Sequence, residues 1–104
     1  MVKYKVAWSV EARLDLLDIL EFYFLRNGNA NYSRKLYSKI NKSIKNATKN
    51  PFLGLQTDIS SVRAIVTGDY QIIYEIIDKT LLIVMIWDCR RNPEDKLIFS
   101  NSKK

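Results

Sequence analysis

A chain of 104 residues makes one ordinary domain and leaves no room for a second. It has no histidine and a single cysteine, which excludes His-based triads, Cys/His zinc sites and a disulfide framework, so neither a metal nor another cofactor is expected. Seventeen Lys and Arg against eleven Asp and Glu give +6, a charge suited to a polyanionic or acidic partner.

In chain order, Lys3 to Trp8 reads as an opening strand. Ser9 is an N-cap candidate, and Ala12, Leu16, Ile19, Leu20 and Tyr23 recur at helical spacing after it, with Glu11 placed well in the first turn. Asn27-Gly28-Asn29 breaks that helix and joins it to a second, starting at Asn29 or Asn31. Leu36, Ile40, Ile44 and Ala47 form the apolar stripe of the second helix, and Asn50-Pro51 closes it. The first helix is acidic through Glu11, Asp15, Asp18 and Glu21. From Arg26 to Asn50 every charge is positive: Arg26, Arg34, Lys35, Lys39, Lys42, Lys45 and Lys49.

After Gly54 the period changes. Val62 to Thr67, Tyr70 to Ile77 and Leu81 to Trp87 are β-prone, separated by Gly68-Asp69 and Asp78-Lys79, which predicts an antiparallel meander. The third run lacks polar alternation and is expected to be central, covered on both faces. The fold class is α+β, a β-α-α-β-β-β domain over residues 1–99 with a flexible tail at 100–104. The longest apolar run, Leu81 to Trp87, has strand length, so no membrane span is expected. The basic start Met1 to Lys5 is followed by no apolar stretch of leader length, and the expected location is cytoplasmic.

The ordered motifs Ser9-Val10-Glu11-Ala12, Asn50-Pro51-Phe52-Leu53-Gly54, Val62-Arg63, Gly68-Asp69-Tyr70-Gln71-Ile72-Ile73-Tyr74-Glu75-Ile76 and Trp87-Asp88-Cys89-Arg90-Arg91-Asn92-Pro93 resemble the RelE/ParE family. These are toxins of bacterial type II toxin–antitoxin modules, often described as plasmid stabilisation proteins. The resemblance spans about residues 3 to 97. It implies growth arrest and silencing by a cognate antitoxin. RelE-like members cut messenger RNA in the ribosome; ParE-like members bind DNA gyrase and trap it on cleaved DNA.

The RelE-like pattern has an Arg where this chain has Gln71, an Arg matched by Arg90, and a Tyr where this chain has Lys96. The Asp88…Arg90…Asn92-Pro93 ending is closer to the ParE-like branch, so inhibition of gyrase by protein binding is the favoured expectation. The alternative is an endoribonuclease whose phosphorane is stabilised by Arg63, Arg90, Arg91 and Lys96, with Tyr70 or Glu75 moving protons. An inactive relic or a small basic binding module is a further alternative.

Lys35, Lys39 and Lys42, with Arg90 and Arg91, are candidate target contacts. Leu14, Phe22, Phe24, Ile98 and Phe99 are candidate antitoxin contacts, since the implied antitoxins fold across the toxin surface. Set against these, a lysine face can be a solvated helix face and an apolar residue can be core. Tyr70 and Tyr74 suit packing, Arg63 an ion pair with Asp58 or Glu75, and Arg90-Arg91 ion pairs with Glu94 or Asp95. A homodimer or a toxin–antitoxin hetero-oligomer fits the apolar third strand and exposed aromatics.

Overall fold

The structure is a computed structural model that describes residues 3–90. Strand β1 (Lys5–Trp8) leads into helices α1 (Val10–Asn27) and α2 (Asn31–Lys49). Strands β2 (Leu55–Gln56), β3 (Val62–Thr67), β4 (Tyr70–Ile77) and β5 (Thr80–Asp88) follow. The α+β class, the helical hairpin and the meander stand as expected. The tail at 100–104 lies outside the described residues, as do Arg91, Lys96, Ile98 and Phe99.

The sheet has five strands in the order β1-β5-β4-β3-β2. The additional strand β2 is only two residues long, pairing Leu55 with Ala64 and Gln56 with Arg63, too short for an alternation to announce it. β1 joins the other edge parallel to β5, Lys5 opposite Thr80 and Trp8 opposite Ile83. The two helices between β1 and the meander make that parallel pairing possible, because a parallel neighbour needs a long crossover.

Both helices pack on one face of the sheet. Ala12, Leu16 and Tyr23 of α1 and Leu36, Ile40, Ile44 and Ala47 of α2 bury against Tyr70, Ile72, Tyr74, Leu81, Ile83 and Ile86. Ile83 and Ile86 are three residues apart yet share that face. The register explains it: Ile73 faces Met85 but Tyr74 faces Ile83, so Val84 is a bulge that restores alternation. The opposite face carries a smaller cluster of Val62, Ala64, Ile73 and Trp87. β5 is an interior strand between β1 and β4, and its coverage is uneven: the helices bury one face fully, while Leu82, Val84 and Met85 on the other remain partly exposed.

The ends of α1 follow its sequence signals. Ser9 Oγ accepts from Ala12 N at 3.0 Å and donates to Val84 O at 2.8 Å, capping the helix and tying it to β5. Gly28 closes it in the left-handed region at φ 75°, where a β-carbon would be strained. At α2 the N-cap residue is Ala30, which offers no side-chain acceptor, and the first turn has no acid. Asn29 Oδ1 accepts from Asn31 N at 3.0 Å instead.

Candidate functional site

At one end of the sheet, the Gly68-Asp69 turn places Tyr70 beside Asp88, its partner across β4 and β5. Gly68 takes φ 60°, a conformation glycine adopts without strain. The C-terminal half of α1 delivers Tyr23 to the same place. Tyr70 Oη donates to Tyr23 Oη at 3.2 Å, and both rings are buried.

Arg90 closes this cluster. Its Nε and one terminal nitrogen each reach the Asp88 carboxylate at 2.9 Å, a two-pronged pairing. The same terminal nitrogen donates to Tyr70 Oη at 3.3 Å and Tyr23 Oη at 3.4 Å, and the other lies 3.8 Å from Asp69. Hydrogen bonding to Asp88 pushes the Arg90 guanidinium above its ordinary pKa, so it stays charged. The hydrogen bond from Tyr70 lowers the Tyr23 phenol, helped by Arg90, whereas burial raises Tyr70. The end of β5 is thus locked to α1 through two phenols, a guanidinium and a carboxylate.

A second polar knot holds the loop after α2. Tyr74 Oη, fully buried, donates to Pro51 O at 2.6 Å and accepts from Gly54 N at 3.1 Å. Arg63 donates to Gly54 O at 2.9 Å and Phe52 O at 3.3 Å, and its guanidinium lies 4.9 Å from the Phe52 ring centre. Arg63 is therefore engaged by loop carbonyls. Gly54 is required here, because a β-carbon would sit 2.8 Å from Tyr74 Oη and 3.0 Å from Ala64 O. Burial raises the Tyr74 phenol pKa. Glu75 projects from the opposite sheet face, where it accepts from Ser61 Oγ at 3.2 Å.

The predicted site residues therefore separate. Tyr70 and Arg90 meet, joined by Tyr23, which the sequence reading had assigned to the core. Its signal was its place in the C-terminal half of α1, which reaches the β3–β4 turn only once the fold is known. Arg63 and Glu75 lie elsewhere. Lys35, Lys39 and Lys42 are exposed on α2, in a ridge with Lys45 and Lys49 opposite its buried stripe. Neighbours three or four residues apart repel there, at roughly 0.2–0.5 kcal/mol a pair. On α1, Leu14, Phe22 and Phe24 are exposed, together with Val10, Leu17 and Leu25.

Among the described residues no group of three or more His, Cys, Asp or Glu is placed to hold a metal ion, and no helix is long and apolar enough to cross a membrane.

A search of curated proteins finds no match. The structure resembles a chromosomal ParDE toxin–antitoxin system from P. aeruginosa, with a TM-score of 0.66 at 16% identity, covering 83% of this chain and 96% of that one. It also resembles a RelBE toxin–antitoxin complex from Mycobacterium tuberculosis, with a TM-score of 0.59 at 20% identity, covering 84% and 99%. Residues 6–93 match the family model for the ParE toxin of the type II toxin–antitoxin system parDE. The chain belongs to the ParE toxin family of type II toxin–antitoxin systems.

Proposed function

We propose that this toxin arrests growth by binding and inhibiting DNA gyrase, as a ParE-like inhibitor rather than a nuclease, and that a cognate antitoxin silences it. The observation that carries the reading is the state of Arg90. It is the position matched to the nuclease pattern, and its guanidinium is taken up by Asp88 in a two-pronged pair with Asp69 alongside. Two carboxylates around one guanidinium leave an unfavourable place for a phosphorane. Arg63, the other described candidate for stabilising the phosphorane, is engaged by the carbonyls of Phe52 and Gly54.

The antitoxin face is the outer side of α1. Leu14, Phe22 and Phe24 are 55%, 53% and 48% exposed there, apolar surface that a monomer gains nothing by presenting. Antitoxin binding covers it with a segment that orders on contact.

One observation favours ribosome-dependent cleavage as a second reading: the Tyr23 phenol, lowered by Tyr70 and Arg90, is the kind of group that could take a proton beside a cation. Induced expression in a heterologous bacterium separates the two, with primer extension on a message and DNA supercoiling assayed from the same cells. Arrest with intact messages and gyrase-dependent DNA breaks, retained in soluble Arg90→Ala, is the expected result. Codon-phased message cuts that vanish in Arg90→Ala would establish the nuclease instead, and no arrest by soluble protein would mark an inactive copy.

A further inference from the structure

From the lysine ridge of α2 we infer a phosphate-tracking surface that binds the backbone of duplex DNA without regard to sequence. Lys35, Lys39, Lys42, Lys45 and Lys49 are all exposed, and none makes an ion pair among the described residues. No acid occurs anywhere from Arg26 to Thr57. A merely solvated helix would mix signs at three- and four-residue spacing; α2 repeats one sign there and bears the repulsion. A polyanion along the ridge removes that repulsion.

The neighbours of these lysines select the partner class. A protein partner needs apolar anchors, and lysine is depleted from such interfaces. On α2, Leu36, Ile40 and Ile44 are buried, the ridge positions between the lysines hold Ser38 and Asn46, both exposed, and the half-exposed Tyr37 borders a cleft lined by Trp8, Arg13 and Leu16 instead. Ser38 and Asn46 are phosphate hydrogen-bonding side chains. A single strand calls for aromatic platforms on which bases stack, and the exposed aromatics of α2, Tyr32 against Tyr23 and Tyr37 beside Trp8, stand off the lysine ridge. From Lys35 to Lys49 the helix rises about 21 Å, a length of cations that can follow a stiff duplex. The inference rests on the gyrase reading for its setting alone, since a target that works on DNA brings the duplex to the toxin.

The test is fluorescence anisotropy of the full chain on a random-sequence DNA duplex between 50 and 200 mM salt. Five phosphate contacts predict a log–log slope of about −4.5, hence roughly 500-fold weaker binding across that range. The double variant Lys39→Gln/Lys42→Gln should reduce the slope by about 2 and the salt effect to roughly 40-fold. Lys79→Gln, on the exposed β4–β5 turn, removes a charge away from the ridge and should leave the slope unchanged. A slope near zero, equal effects of the Lys79 and ridge variants, or tighter binding to an RNA duplex of the same length would each overturn the inference. Supercoiling inhibition measured on the same proteins keeps the two ideas apart. Inhibition without DNA binding would sink the ridge and spare the gyrase reading; DNA binding without inhibition would do the reverse.

Discussion

The two helices of the hairpin pack on the same sheet face, yet they obey opposite rules. α1 is well built at its ends: Ser9 caps it, Glu11 and Arg26 complement the helix dipole, and Gly28 stops it. Its flaw is on its flank, where Val10, Leu14, Leu17 and Leu25 are each more than half exposed. α2 is better built on its flank, with one buried apolar stripe and mostly polar residues elsewhere, Tyr32 and Tyr37 being half exposed, but its N-cap residue Ala30 offers no side-chain acceptor, its first turn has no acid, and its outer face repeats a single charge. Local rules are broken where a partner supplies what the free chain lacks. The pattern of breakage suggests two partners of different chemistry: an apolar one for α1 and a polyanionic one for α2.

The largest effect should come from the faces the two helices share with the core. Ile40 is fully buried, and Ile40→Ala should cost about 2–5 kcal/mol in urea unfolding. Leu14→Ala on α1, an aliphatic truncation of similar size, should change stability by no more than about 0.5 kcal/mol while weakening capture by the antitoxin. A large stability loss at Leu14 would mean that this face is core after all.

Next is the cap. Ser9→Ala removes the acceptor for Ala12 N and strips Val84 O of its donor, so a loss of about 1–2 kcal/mol is expected by thermal or urea unfolding. Nothing comparable exists at Ala30, where Ala30→Gly should move stability by only a few tenths of a kcal/mol.

A smaller, pH-dependent effect tests the lock at the far end of α1. Tyr70 has a raised pKa, so its contribution is complete below the ordinary phenol value of 10.0 and fades as pH climbs beyond it. Tyr23 is lowered and contributes in the opposite sense, gaining as it ionises below that value. Absorbance titration should therefore show one phenol ionising early, a phase that Tyr23→Phe abolishes. Alkaline destabilisation above pH 10.0 should be blunted in Tyr70→Phe. An unaltered early phase in Tyr23→Phe would show that the phenols do not share a hydrogen bond.

Much of this architecture was legible in the sequence. The spans of β3 and β4, the cap at Ser9 and the apolar stripes follow from local chemistry that the tertiary fold did not override. β2 was not legible, because two residues carry no period, and the tether that orients it comes from Tyr74 and Arg63, residues distant in sequence. The candidate site was only half legible for the same reason. Arg90 and Tyr70 could be picked out by type and position, but Tyr23 reaches Tyr70 from 47 residues away and Arg90 from 67. The aspartate that pairs with Arg90 is Asp88, two residues back, and the expected partners Glu94 and Asp95 lie outside the described residues.

The smallest effect is the most diagnostic of the contrast between the helices. In Lys39→Glu the carboxylate falls four residues after Lys35 and three before Lys42, so two repulsive neighbours become attractive ones. Turning each from repulsion to attraction is worth roughly 0.4–1 kcal/mol, and some of it is lost to salt screening on an exposed face. The variant should therefore unfold at slightly higher urea concentration than the natural chain, by about 0.5–1 kcal/mol at low salt and less at high salt. A substitution that stabilises the fold while abolishing growth arrest would show that the one-signed ridge is maintained against the interest of the helix itself. If Lys39→Glu instead leaves stability unchanged at low salt, the lysines are too well screened to repel one another, and the argument that α2 is strained toward a polyanion loses its energetic basis.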